Sequence, residues 1–275
     1  MITGRNLSII RSGRKILNDV SISCPPGQVT VIMGRNGAGK STLLRILAGE
    51  LLPDTGSVNM NGSTLSSLSS RELADRRSVL AQTSHLTYPM RVREVVEMGC
   101  YNRYDRLKHY ERESLIESSL EKLKLNSFAD RFFDTLSGGE QKRVLLSKCL
   151  AQLHAGRVAG KQQFLLLDEP TAALDVEQQF LFLELATSLA QREGIGIIAV
   201  LHDLNLAARY ADRVLLLKNG KKQVAGNVRQ VFQPDVLRAV FGVACLVQDH
   251  PHLDIPLITT YGSHHQSTAD SLSRA

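Results

Sequence analysis

The chain has 275 residues, 43% hydrophobic and 22% charged with both signs mixed, which excludes a disordered polypeptide and suffices for one large α/β domain with a modest extra lobe. Its four cysteines, Cys24, Cys100, Cys149 and Cys245, form no C-x-x-C pair, which argues against zinc or dithiol chemistry and for reduced thiols; no apolar stretch approaches the ~18 residues of a membrane span. The net charge of +6 resides in residues 1–49, where seven Lys and Arg face one acid, Asp19, while the remainder balances at 26 against 26, a basic segment suited to a polyphosphate, a nucleic acid or an anionic membrane surface.

Taken in chain order, short apolar runs alternate with helical patterns, the signature of α/β layering. No basic-then-apolar leader pattern is expected at the N-terminus, and the dispersed cysteines make reduced thiols in a cytosolic compartment the expectation. Val29–Met33 reads as a buried strand that runs into a glycine-rich turn. Ser41–Ala48 follows as a helix ended by Gly49. From about His85 to Gln152 no strand is expected; Leu115, Ile116, Leu120 and Leu123 recur at helical spacing, and Ser137–Gln152 reads as a further helix. This stretch is a helical lobe inserted into an α/β core. Ala155–Gln163 is a small, polar, Gly-containing linker. Phe164–Leu167, Ile195–Leu201 and Val214–Leu217 are buried strands, and Lys218-Asn219-Gly220-Lys221 is a hairpin turn, because Asn-Gly accepts positive φ at both central positions. The expected division is 1–84 and 161–262 for the core, 85–160 for the helical insert and 263–275 for a frayed polar tail.

Gly34-Arg35-Asn36-Gly37-Ala38-Gly39-Lys40-Ser41 matches G-x-x-x-x-G-K-[ST] in full, with Thr42 next. Glycines let backbone N–H groups turn inward around phosphates, the following helix presents its positive end, Lys40 reaches the β- and γ-phosphates, and the Ser41 hydroxyl suits Mg²⁺. With glycine at about 7% of positions, a chance match in a chain of this length is on the order of one per cent. ATP binding is therefore expected.

Asp168 and Glu169 end the Phe164 strand, 128 positions beyond Lys40, and ligands of open α/β sheets bind at that end. Asp168 is placed for the Mg²⁺ shell and Glu169 to polarise a water for in-line attack on the γ-phosphate. His202 follows the next strand and is expected to contact the γ-phosphate. Gln82 follows Val79-Leu80-Ala81; a single loop glutamine is uninformative by itself.

Leu136-Ser137-Gly138-Gly139-Glu140-Gln141, together with the cradle, Gln82, Asp168-Glu169, Ala173-Leu174-Asp175 and His202 in this order, resembles the ATPases of ABC transporters over nearly the whole chain. The resemblance implies a P-loop NTPase (RecA-like) core with an antiparallel β subdomain and an inserted helical subdomain. It implies a head-to-tail homodimer in which Ser137, Gly138, Gly139, Glu140 and Gln141 of one subunit cover ATP on the other's cradle, with Asp175 at the seam. It gives Gln82 the role of sensing metal and water, and the helical subdomain that of docking a membrane subunit. The family usually carries an aromatic residue stacked on adenine near the second strand; that position holds Arg11, whose planar guanidinium can also stack on a base. Ala172 stands where Ser is common.

Without a membrane span of its own, such an ATPase is expected as a peripheral subunit on the cytoplasmic face of the inner membrane. Its partners would be two copies of a separate permease and, through them, a periplasmic binding protein, with no nucleic acid and no direct heme contact. The segments Asn227–Phe232, Pro234–Gly242 and Pro256-Leu257-Ile258 resemble the ATPases of iron-chelate, vitamin B12 and heme importers. The lengthened 155–163 linker resembles the heme group most. Ferric siderophore or vitamin B12 import is the alternative. An ABC-type ATPase acting on DNA or ribosomes would carry a coiled-coil insertion or a second cassette, and this sequence has neither.

Overall fold

In a computed structural model, residues 1–82, Leu86 and 88–261 are described. The boundaries expected at 84/85 and 262/263, and the 263–275 tail, lie outside them. The chain opens with β1 (Ile2–Arg11), β2 (Arg14–Cys24) and β3 (Val29–Gly34), then α1 (Lys40–Ala48), β4 (Thr55–Met60), β5 (Ser63–Thr64), α2 (Ser70–Arg76) and β6 (Arg77–Leu80). Helices α3 (Val92–Glu97), α4 (His109–Lys122) and α5 (Gly138–Ala155) follow, with a 3₁₀ segment at Met98–Arg103. Then come β7 (Phe164–Asp168), α6 (Val176–Glu193), β8 (Gly196–Val200), α7 (Leu204–Tyr210), β9 (Arg213–Lys218) and β10 (Lys221–Gly226). The described chain ends with α8 (Val228–Val231), α9 (Pro234–Phe241), β11 (Ala244–Asp249) and β12 (Pro256–Tyr261).

The central sheet has the order β10-β9-β3-β8-β7-β6. Its pairs are parallel except β9–β10, joined by the expected Asn219-Gly220 turn with φ of 50° and 73°. Strands buried on both faces read as unbroken apolar runs, which is why β3, β7, β8 and β9 are plain in the sequence. Alternate residues then serve two cores. Val31, Met33, Leu165, Leu167, Ile197 and Ala199 face the cluster built with α5 and α6. Ile32, Leu166, Ile198 and Val200 face α1 and the antiparallel sheet β2-β1-β4-β5.

Two element bounds differ from the sequence reading. Helix α5 extends to Ala155, so the irregular linker begins at Gly156. Strand β8 spans Gly196–Val200 and not Ile195–Leu201, since Gly194 ends α6 in the left-handed conformation and Ile195 still bonds back to Leu189. Between β6 and β7 no strand occurs among the described residues. Ile116, Leu120 and Leu123 are buried there as their spacing predicts.

Candidate active site

The parallel strands β3, β7 and β8 end on one side, and the candidate residues collect there. Gly34 closes β3 at φ 150°, where a Cβ would fall 2.2 Å from the Leu217 carbonyl oxygen. Gly39 precedes α1 at φ 97°, where a Cβ would fall 2.8 Å from the Ile16 carbonyl oxygen. These two positions require glycine for close approach and for backbone conformation alike. Between them the loop folds back, the Ala38 amide donating to Arg35 O at 3.1 Å.

Lys40 is 5% exposed and curls over the loop, its Nζ donating to Gly34 O at 3.1 Å and Arg35 O at 3.2 Å. Burial lowers its pKa, and the charges of Glu169 and Asp168 oppose that shift. Ser41 Oγ donates to Asp168 Oδ1 at 3.0 Å. Burial raises the Asp168 pKa, and the Ser41 hydrogen bond counters it.

Glu169 is gripped through both oxygens. Gln82 Nε2 donates to Oε2 at 2.8 Å, and His202 Nε2 lies 2.7 Å from Oε1. Its backbone has φ 49°, an uncommon conformation for a residue with a side chain and one associated with functional turns. Lys142 on α5 stabilises this turn, its Nζ donating to the carbonyls of Glu169 (3.4 Å), Pro170 (3.2 Å) and Ala172. Burial lowers the Lys142 pKa.

One open cleft is lined by Asn36, Gly37, Gly39, Lys40, Ser41, Thr42, Gln82, Glu169, His202 and Ile16. Ile16 is a lining residue that the sequence reading missed. Its signal was faint: Ile16 and Leu17 are successive apolar residues on a strand, so one must face away from the core. Arg11 does not line the cleft. It lies at the end of β1, its Nη1 donating to Ile10 O at 2.7 Å and lying 3.4 Å from Asp54 Oδ1.

The Ser137–Gln141 residues sit outside the cleft of their own chain. Ser137 caps α5 in a reciprocal box: its Oγ accepts from the Glu140 amide at 3.3 Å, and its own amide donates to Glu140 Oε2 at 2.8 Å. These bonds lower the Glu140 pKa. Gln141 Nε2 donates to Phe133 O and Leu136 O, both at 3.2 Å. A Cβ at Gly138 would meet open space, so that helix end is uncovered within the chain. Asp175 caps α6, accepting from the Gln178 amide at 2.8 Å.

A strand, a glycine-rich loop and a helix, with an acid-ended strand two places along the same parallel sheet, make this a P-loop nucleotide hydrolase. The ABC transporter family pattern matches residues 17–172. A Hemin import ATP-binding protein HmuV from Bordetella pertussis is 41% identical over 252 residues, covering 92% of this chain and 96% of the relative. One from Pseudomonas fluorescens is 42% identical over 262 residues, covering 94% and 99%. One from Gloeobacter violaceus is 41% identical over 263 residues, covering 96% and 95%. A metal-chelate type ABC transporter in an inward-facing conformation superposes with a TM-score of 0.78, covering 96% of this chain and 98% of that one; at 23% identity it speaks to the fold. A cassette in a post-hydrolysis state with ADP and phosphate bound superposes with a TM-score of 0.71 at 27% identity, covering 83% and 99%. The chain belongs to the ABC transporter family, as an ATPase subunit that couples ATP hydrolysis to transport.

Proposed function

We propose that this ATPase drives heme import. What carries the reading is similarity over nearly the full chain to hemin import ATP-binding proteins from three bacterial genera, extending well past residue 172 where the general family pattern stops.

In this reading the loop amides of Gly34–Thr42 and Lys40 hold the phosphates of ATP, and Ile16 supplies apolar contact beside the base. Arg11 lies beyond the cleft rim, so base stacking on it is not part of the proposal. Ser41 Oγ, Asp168 and the Gln82 amide are hard oxygen donors of the kind Mg²⁺ takes, and the existing Ser41–Asp168 pairing brings two of them together. When bound, Mg²⁺ would neutralise phosphate charge. Glu169 accepts the proton of the attacking water, while Gln82 and His202 hold its carboxylate in one orientation. Two chains pair head to tail, so that the uncovered α5 end at Ser137–Gly139 reaches the partner's nucleotide and Asp175 lies at the seam.

Among the described residues no helix is long and apolar enough to cross a membrane. The pore is therefore assigned to a permease dimer on the inner membrane, the helical insert docks it, and a periplasmic binding protein delivers heme to it. A deletion strain tests this with heme as sole iron source, complemented by wild type or Glu169→Gln, with a ferric siderophore as control. Loss of growth on heme alone, restored by wild type only, is the expected result. Normal growth on heme would remove heme as the substrate, and equal loss on the siderophore would return the substrate to the wider iron-chelate, vitamin B12 and heme importer group; either outcome leaves the ATPase assignment standing.

A further inference from the structure

At the opposite end of the strands from the nucleotide cleft, a cavity opens where β6 and β7 begin. Arg76 immediately precedes β6, and Gln163 immediately precedes β7. The wall carries five cations, Arg71, Arg76, Arg103, Arg106 and Lys161, against two carboxylates, Glu72 and Asp75. Five against two leaves +3 for the wall itself, or +2 once Asp105, whose Oδ2 lies 3.8 Å from Arg71 Nη2, is counted.

Both carboxylates are already engaged. Asp75 takes a two-pronged contact from Arg103, and Asn102 Nδ2 donates to its Oδ1 at 2.8 Å. Glu72 Oε2 accepts from the Ser69 amide at 2.9 Å and from its hydroxyl at 2.8 Å. Arg76 is the unmatched group. The residue is 7% exposed, its nearest carboxylate oxygen is Glu72 Oε1 at 3.9 Å, and its guanidinium makes no hydrogen bond to a described residue; none of its nitrogens is sealed from solvent, so the fork opens into the cavity. Water in the cavity can supply acceptors to a guanidinium that opens into it, without supplying charge. A tetrahedral oxyanion supplies both, and the planar fork of arginine matches it.

The cavity is assembled, not merely a basic surface. Its cations come from three separate segments: α2, the end of the 3₁₀ segment Met98–Arg103 with the residues just after it, and the linker after α5. The linker is pressed against α2 so closely that a Cβ on Gly156 would lie 2.6 Å from Asp75 Cα. Buried Gln163 ties it there, Nε2 donating to Asp75 O at 2.8 Å and Leu153 O at 2.5 Å.

We propose that this cavity binds a soluble phosphate-class anion, separate from ATP in the cradle, and that the 156–163 linker exists to close it. Arg76 is the anchor, its fork open to the cavity, and Arg106 and Lys161 complete the rim.

Calorimetric titration of the full-length, nucleotide-free protein with pyrophosphate tests this, because the ATP cradle also takes that probe. Wild type is expected to bind two pyrophosphates per chain. Lys40→Ala and Arg76→Gln are each expected to remove or weaken one of them by about tenfold or more, and the double variant to remove both. Arg106→Gln, on an exposed rim position, should weaken the same site as Arg76→Gln and keeps the test usable if the buried substitution fails to fold. A single pyrophosphate per wild-type chain, or two that neither Arg76→Gln nor Arg106→Gln weakens, would overturn the assignment.

Discussion

Glu169 concentrates the chemistry at one position. Its positive φ turns the carboxylate out of the strand line, and Gln82 and His202 hold one oxygen each. Glu169→Gln keeps the size and removes the proton acceptor. Steady-state ATPase assays on this variant should show a rate lower by about 10²–10⁴, with ATP affinity in equilibrium binding near that of wild type. Turnover at the wild-type rate would take Glu169 out of the base role. Lys40, Ser41, Asp168 and Glu169 were legible in the sequence because phosphate chemistry demands particular residue types at a strand end and a helix start. Ile16 and Lys142 were not. Ile16 reaches the cleft through the placement of β2 beside the loop, a matter of tertiary arrangement. Lys142 is one lysine on a helix until the turn whose carbonyls it serves is seen.

At the scale of elements, α5 and the 3₁₀ segment before α4 touch with no room between backbones. A Cβ on Gly99 would lie 2.3 Å from Lys148 O and 2.9 Å from the Gln152 amide nitrogen. Gly99→Ala is therefore expected to cost about 1–3 kcal/mol of stability in urea unfolding, the range for overpacking. Gly138→Ala, whose Cβ meets open space, serves as the control and should cost nothing. The buried strands of the parallel sheet were legible as continuous apolar runs. The strands of the antiparallel sheet were not individually legible, and local physics explains it. Register shifts interrupt β1 against β2, and Asn6 and Asp19 take positive φ, so the in-out alternation that marks a strand is broken. The β11–β12 hairpin was missed for another reason: most of its residues are exposed or half-buried, and little apolar pattern remains to read.

At the scale of the whole molecule, the two cores enclose all four cysteines. Burial pushes the Cys24 thiol up to about 12 and the Cys100 thiol up to about 11, and raises those of Cys149 and Cys245. A thiolate is the reactive form, so iodoacetamide at pH 8 should label none of the four in the folded protein and all four in denaturant. Mass spectrometry reads the result, and labelling of native protein would mean that one core opens without global unfolding. The same enclosure bears on movement. Helix α5 is tethered near its start by Lys142, to the turn after β7. Near its end Gln152 donates to Ala74 O at 2.9 Å and Arg77 O at 3.0 Å, and accepts from Ser78 Oγ at 2.8 Å. Its 18 residues span about 27 Å. A rod held by off-axis side chains at two points and buried between them can neither slide, tilt nor turn without breaking those bonds. Helix α5 is then a keel laid against the sheet, and α3 and α4, which pack on it, take their position from it.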